Sequence, residues 1–192
     1  MQINGAYRDI LKCSGREIED FGWRHNDIAK DFGRFLAALM KKDFNKLAGI
    51  DYLAVGGGSG GYDEFKEGVK SFFNSANSDP KVLDRPFTPQ SKSYWVWAKK
   101  IVETEDKIKY LGEDGNETDA ITNKILVHIS LKEGVPPHDT PLEFKEFALL
   151  GIGLVGDKFD VDKMFFVDYV NHPTITKDKN TQLIRDIKLT FP

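Results

Sequence analysis

The segment Ile50–Gly61, IDYLAVGGGSGG, constrains the fold more than any other stretch. Ile50, Tyr52, Leu53, Ala54 and Val55 suit a strand. Five glycines and one serine then end that strand abruptly. Glycine reaches positive φ at little steric cost, so GGGSGG marks a tight bend or a close backbone approach. A phosphate-cradling loop would need Lys and then Ser or Thr after its last glycine. Here the chain continues Tyr62, Asp63, Glu64, and two acids at that point repel a phosphate. A conformational role for the turn is therefore the expectation. Ser59 fits a GxSxG pattern by letter, but no strand-to-helix elbow with an obvious base is evident around it.

The bulk chemistry excludes several classes. A net charge of −3 gives no field that calls for nucleic acid. No apolar run approaches the ~20 residues of a membrane span. The opening MQINGAYRDILKCSGREIED lacks the basic and then apolar layout of a signal peptide, so synthesis in the cytoplasm is expected. Cys13 is the single cysteine, so no disulfide can form within the chain. Fourteen phenylalanines imply a large core, an interface, or both.

Residues 1–25 read as an N-terminal arm, because Gly5, Gly15 and Gly22 interrupt any long element. Residues 26–192 read as one domain with a long loop insert near 74–93. A helix is expected over Asn26–Ala48: Asn26 or Asp27 would cap it, Ile28, Phe32, Phe35, Leu36, Leu39 and Leu47 form its apolar stripe, and Gly49 ends it. Asp63–Ser71 suits a short second helix. Strands are expected at Tyr94–Val102, Lys124–Leu131, Leu142–Leu150, Met164–Val170 and Leu183–Phe191. In the first of these, Tyr94, Val96 and Ala98 share one face, with Trp95 and Trp97 on the other. A covered second face or a platform for a sugar ring would each account for that Trp pair. Leu142–Leu150 is expected to stop at Gly151 and Gly153, and the His172–Pro173 bond is a candidate for cis. The order, a helix and then a run of strands, predicts an α+β fold: a mostly antiparallel sheet or sandwich with the N-terminal helix packed on it.

No constellation of reactive residues stands out. His25, His128, His138 and His172 lie outside any HExxH or CxxC context, and His138 with Asp139 and Glu143 reads as a solvated loop. Asp157, Asp160 and Asp162 lack the glycine and closing glutamate of a calcium loop and read as a turn. No catalytic, cofactor-binding or metal-binding residue is assigned, and no enzyme activity is expected.

Three stretches in order resemble phage tail-collar and tail-fibre N-terminal domains and related baseplate proteins. They are the helix leading into IDYLAVGGGSGG, then LEFKEFALLG at 142–151, then MFFVDYVNHPTITKDKNTQLIRDIKLTF at 164–191. Gly56 and Gly58 match the glycine turn, Glu146 and Leu149 the middle motif, and Ile175 with Lys177 the final turn. The insert at 62–93 and the pair Phe147, Ala148 depart from the family pattern. The resemblance implies a structural adaptor of a phage tail or phage-tail-like contractile injection system. It would join baseplate or tail to fibre parts without catalysis and be incorporated into a virion or tail-like particle. The implied partners are other tail or baseplate subunits in a homo- or hetero-oligomer, with no nucleic acid, membrane or cofactor. Gly56, Gly58, Phe87, Trp95 and Trp97 are the interface residues this reading selects. A carbohydrate- or ligand-binding β-domain using Trp95 and Trp97 is the second reading, and a hydrolase using Ser59 the third.

Overall fold

The computed structural model describes residues 3–41, 49–58, 60–102 and 104–191, with Asp27 described by its backbone alone. Eleven strands and two α-helices follow in the order β1 (Asn4–Cys13), β2 (Arg16–Ile28), α1 (Phe32–Lys41), β3 (Tyr52–Gly56), α2 (Tyr62–Ala76), β4 (Val96–Lys100), β5 (Lys107–Leu111), β6 (Glu117–Thr118), β7 (Lys124–Leu131), β8 (Leu142–Val155), β9 (Lys158–Phe166), β10 (Asp168–Lys177) and β11 (Thr181–Thr190). Every strand pairing is antiparallel, and the fold is α+β.

The hydrogen-bonded path runs β4-β3-β8-β10-β2-β1-β11-β7-β5-β6, with β9 also on β8. It divides into two halves joined by one short pairing, where Asp168 and Tyr169 of β10 meet Ile28 and Asp27 of β2. The halves fold onto each other as a sandwich. Tyr7 of β1 meets the Phe147 ring of β8 edge-on at 5.2 Å, and Lys99 of β4 reaches the Ser130 carbonyl of β7 at 2.9 Å. Each half follows the two-residue strand period. In the second half Tyr7, Leu11, Val127, Ile129, Leu131, Leu183, Ile187 and Leu189 turn inward and are buried. In the first half β3 and β8 are buried on both faces, since α2 covers the outside. That helix lays Phe65, Val69, Phe72 and Phe73 on the sheet. Gly68 lets it approach, because a Cβ there would sit 3.1 Å from the Tyr94 ring.

Residues 1–25 are not an appended arm. Residues 4–28 form a hairpin that sits inside the sheet, with β1 paired to β11 along ten residue pairs from Asn4↔Thr190 to Cys13↔Thr181. The glycines that read as breaks build this hairpin. Ser14 and Gly15 (φ 50° and 76°) make its tight turn. Gly22 (φ 69°) sits in a bulge, where its N–H donates to Asp20 Oδ1 at 2.9 Å. The helix of this region is shorter than its stripe predicts. It begins at Phe32, and Asn26 and Ile28 belong to β2, so neither Asn26 nor Asp27 caps it. Residues 42–48, including Leu47, lie outside the described residues.

Other expectations change: Met164–Val170 is not one strand but the end of β9 and the start of β10, with Val167 between them. β8 continues through Gly151 and Gly153 to Val155, because its far half pairs with β9 rather than turning. The second helix runs on to Ala76, and the insert holds a 3-10 turn at Pro80–Asp84. The cis bond is Val135–Pro136, while His172–Pro173 is within β10.

Candidate functional site

Two places concentrate the chemistry: the glycine turn between β3 and α2, and a polar layer between the two halves of the sandwich. The turn joins a strand directly to a helix, so the strand-to-helix element that the sequence did not reveal is present. Ser59 itself lies outside the described residues.

The three glycines opening the turn are required by neighbouring side chains. The Gly57 N–H donates to the Trp95 carbonyl at 3.0 Å, and the Trp95 indole lies over the same residue. A Cβ on Gly57 would come within 2.6 Å of Trp95 Nε1. A Cβ on Gly56 would sit 3.0 Å from Glu146 Oε1, and Gly58 (φ 94°) faces the Lys145 stem. The close approach that the glycines allow is thus filled from within the chain. Gly57→Ala should destabilise the fold by about 1–3 kcal/mol through this overlap. Trp95→Ala in the same chain should recover part of that loss in urea unfolding. Equal losses with and without Trp95 would sink the explanation.

The selected interface residues separate. Trp97 is 6% exposed, and its indole N–H donates to the Leu83 carbonyl at 2.9 Å. Trp95 is half-buried and meets Phe144 edge-on at 5.1 Å. Phe87 is half-buried, bridges to Val96 and packs on Phe72. Trp97 is therefore a core residue and cannot serve as a sugar platform or a contact surface. A covered second face, not a binding face, explains the Trp alternation. Beside this region, α2 and the 87–94 loop bound an open cleft of about 760 Å³. Two of its acids are already engaged, Glu64 with Lys92 at 2.6 Å and Glu67 with Lys70 at 3.0 Å, while Asp63 is exposed at its rim.

The interior polar layer was largely invisible in the sequence. Arg185 of β11 is 1% exposed and holds Asp9 of β1 through two bonds, Nε to Oδ1 at 2.6 Å and Nη2 to Oδ2 at 3.0 Å. Its guanidinium stacks over Phe147 at 3.8 Å, and Nη2 lies 3.1 Å from His172 Nε2. Burial, and then the charge of Arg185, push His172 down to about 4. One layer away, buried Asp168 accepts from Asn26 Nδ2 at 3.0 Å and from the Leu149 N–H at 2.5 Å. Burial outweighs these bonds and raises its carboxyl to about 7. At the other end of the sandwich, buried Asp106 takes Lys99 Nζ at 2.8 Å and the Ser130 N–H at 3.1 Å. These groups tie β1 to β11, β10 to β8, and β4 to β7. They lie in the packed interior, as cross-links.

His172 and Asp168 oppose each other in pH. His172 binds its proton less readily folded than unfolded, so its contribution is full above about 6.5 and is lost as pH falls through about 4. Asp168 binds its proton more readily folded, so its contribution is full below about 3.8 and is lost as pH rises through about 7. Between about 4 and 6.5 the contributions of these two groups therefore oppose each other. Asp168→Asn should lose stability steadily on acidification, by up to about 3 kcal/mol. His172→Asn should instead gain stability on acidification. Chemical denaturation of both variants between the two pH limits reads the slopes, and parallel slopes would refute the assignment.

The residues matched in the resemblance are mostly interior: Glu146, Leu149, Ile175 and Lys177 are all buried. Tyr169 donates its hydroxyl to Glu146 Oε2 at 3.1 Å. Burial lowers the Lys177 amine to about 8. Histidine offers no metal centre. His128 pairs with Asp186 at 2.6 Å on the outer face, and His138 Nδ1 is held by the Pro136 carbonyl. Among the described residues no group of three or more His, Cys, Asp or Glu side chains could hold a metal ion. No helix among them is long and apolar enough to cross a membrane. Comparison with protein-family models, with curated proteins and with solved structures gave no match.

Proposed function

We propose that this chain is a non-catalytic structural subunit of a phage tail or phage-tail-like contractile injection system, joining baseplate or tail to fibre parts. The observation that carries the reading is where the ionisable groups and the uncovered surface lie. Asp9, Arg185, His172, Asp168, Asn26, Lys99 and Asp106 are spent on holding the sandwich together. The outer face of β2-β1-β11-β7-β5, by contrast, has no helix packed across it among the described residues. Among the described residues, the outer edge of β2 has no strand partner over Arg16–His25, while Asp27 and Ile28 pair with β10. A broad sheet face and an open strand edge suit fixed contacts between subunits. Of the stretches that resemble tail proteins, β3 with its turn, β8 and β10 form the half behind that surface, and β11 belongs to the surface itself.

The test is to tag the protein in its native host, isolate tail-like particles and locate the tag by immunogold electron microscopy. Label at one end of tail-like tubes is the expected result. Particles that form normally and carry no label would overturn the reading.

A further inference from the structure

One corner of the uncovered sheet face carries a segregation of charge that is complementary to itself. Lys107 and Lys109 are exposed on β5, and Lys124 of β7 and Lys188 of β11 lie on the same face. Register places them together: Lys109 and Lys188 flank Leu126 from either side, and Lys107 is opposite His128. With strands about 4.8 Å apart, the Lys109 and Lys188 backbones stand about 10 Å from each other, and the Lys188 ammonium lies over the Trp23 ring at 4.2 Å at the inner margin of the patch. Among the described residues, none of these four lysines has a carboxylate in ion-pair contact.

The next segment is the opposite in sign. The turn after β5 together with β6, residues 112–119, carries Glu113, Asp114, Glu117 and Asp119 and no cation. All four are exposed. Between the acids and Lys124 stands Ile121, 85% exposed. That residue is held in place on both sides. The Ala120 N–H donates to Thr118 Oγ1 at 3.1 Å, and Thr122 Oγ1 donates to the Leu111 carbonyl at 2.9 Å. Asn123 Nδ2 donates to the Phe191 carbonyl at 2.5 Å. In chain order an exposed apolar side chain on a tethered backbone thus lies between an acidic tip and the start of the lysine patch.

A surface with that order, acid, apolar, base, matches a second copy of itself turned by a two-fold axis. Ile121 would lie on the axis against its counterpart, and each acidic tip would lie on the other copy's lysines. Both charge contacts then form at once, as an isologous interface requires. We infer that two copies of this chain associate through the β5–β6–β7 corner. A polyanion could neutralise the lysines alone, but it would be repelled by the four acids beside them, so a second copy fits the whole corner better. This contact stands apart from the particle assignment, and either can fail without the other.

Sedimentation equilibrium of the purified full chain at low and high salt tests it. The wild type is expected to dimerise, with dissociation favoured as salt screens the contacts. Lys107→Glu/Lys109→Glu and, separately, Glu113→Lys/Glu117→Lys should each weaken the dimer by at least about tenfold. Mixing the two variants should restore it, because each patch then meets a tip of opposite sign. Ile121→Asp, at a site too exposed to affect folding, should also weaken it. A wild-type chain that stays monomeric would overturn the inference, as would a dimer that ignores the charge reversals or a mixture that fails to recover. A monomer that binds single-stranded DNA through the same lysines would overturn it as well.

Discussion

Replacing Arg185 by methionine is expected to cost about 3–5 kcal/mol, a large share of the roughly 5–15 kcal/mol that keeps a domain folded. The guanidinium holds both oxygens of Asp9, which is 1% exposed in the centre of β1. Without it, a carboxylate is left uncompensated between two sheets, and it must either take up a proton or draw in water. The stack on Phe147 at 3.8 Å is lost in the same step. The size of the effect reports the orphaned charge, not the net worth of the pair. Asp9→Leu/Arg185→Met removes both charges and should therefore recover most of the stability. Urea unfolding of the two single variants and the double variant gives the coupling directly. Additive losses would mean that the pair is not the device that ties β1 to β11.

The same pair shows what the sequence could and could not disclose. Alternation in Leu183–Phe191 identifies the last strand and sets Leu183, Ile187 and Leu189 on one face. Arg185 shares that parity and is buried with them, yet a charged residue on an apolar face reads locally as a break in the pattern. Its partner Asp9 is 176 positions away in the chain, and only the β1–β11 register brings the two together. Lys124–Leu131 was legible for the opposite reason: its face needs no distant partner to make sense.

Residues 4–28 were unreadable because local rules conflict there. Glycines at 5, 15 and 22 lower strand propensity, while the tertiary context uses them as a close contact, a hairpin turn and a bulge. The helical stripe that begins near Ile28 is real only from Phe32, since Ile28 belongs to the pairing that joins the two halves. For Trp97 the two-residue period gave the correct face and could not say what covers it. The acidic tip and the lysines of β5 and β7 are near neighbours in sequence, but Lys188 joins them only through the sheet.

Gly5→Ala is the second large effect, expected at about 3 kcal/mol or more from a single added methyl group. Gly5 pairs with Asn26 across the β1–β2 ladder, and the Asn26 amide occupies the space above its Cα. A Cβ on Gly5 would fall 1.5 Å from Asn26 Oδ1, a clash that no small shift relieves. Gly5 is not at positive φ, so alanine meets no backbone strain there and the side-chain overlap is the whole cause. The amide must swing out, and it then abandons Asp168, which is wholly buried at the junction of β10 and β2. The loss thus reaches the one pairing that connects the two halves of the sandwich. Asn26→Ala alone should cost less, because it gives up one hydrogen bond without forcing any strand apart. The double variant Gly5→Ala/Asn26→Ala should be more stable than Gly5→Ala, since the second truncation empties the space that the first one needs. Thermal unfolding of the three chains would show it. A double variant less stable than Gly5→Ala would mean that the two positions are not competing for one space.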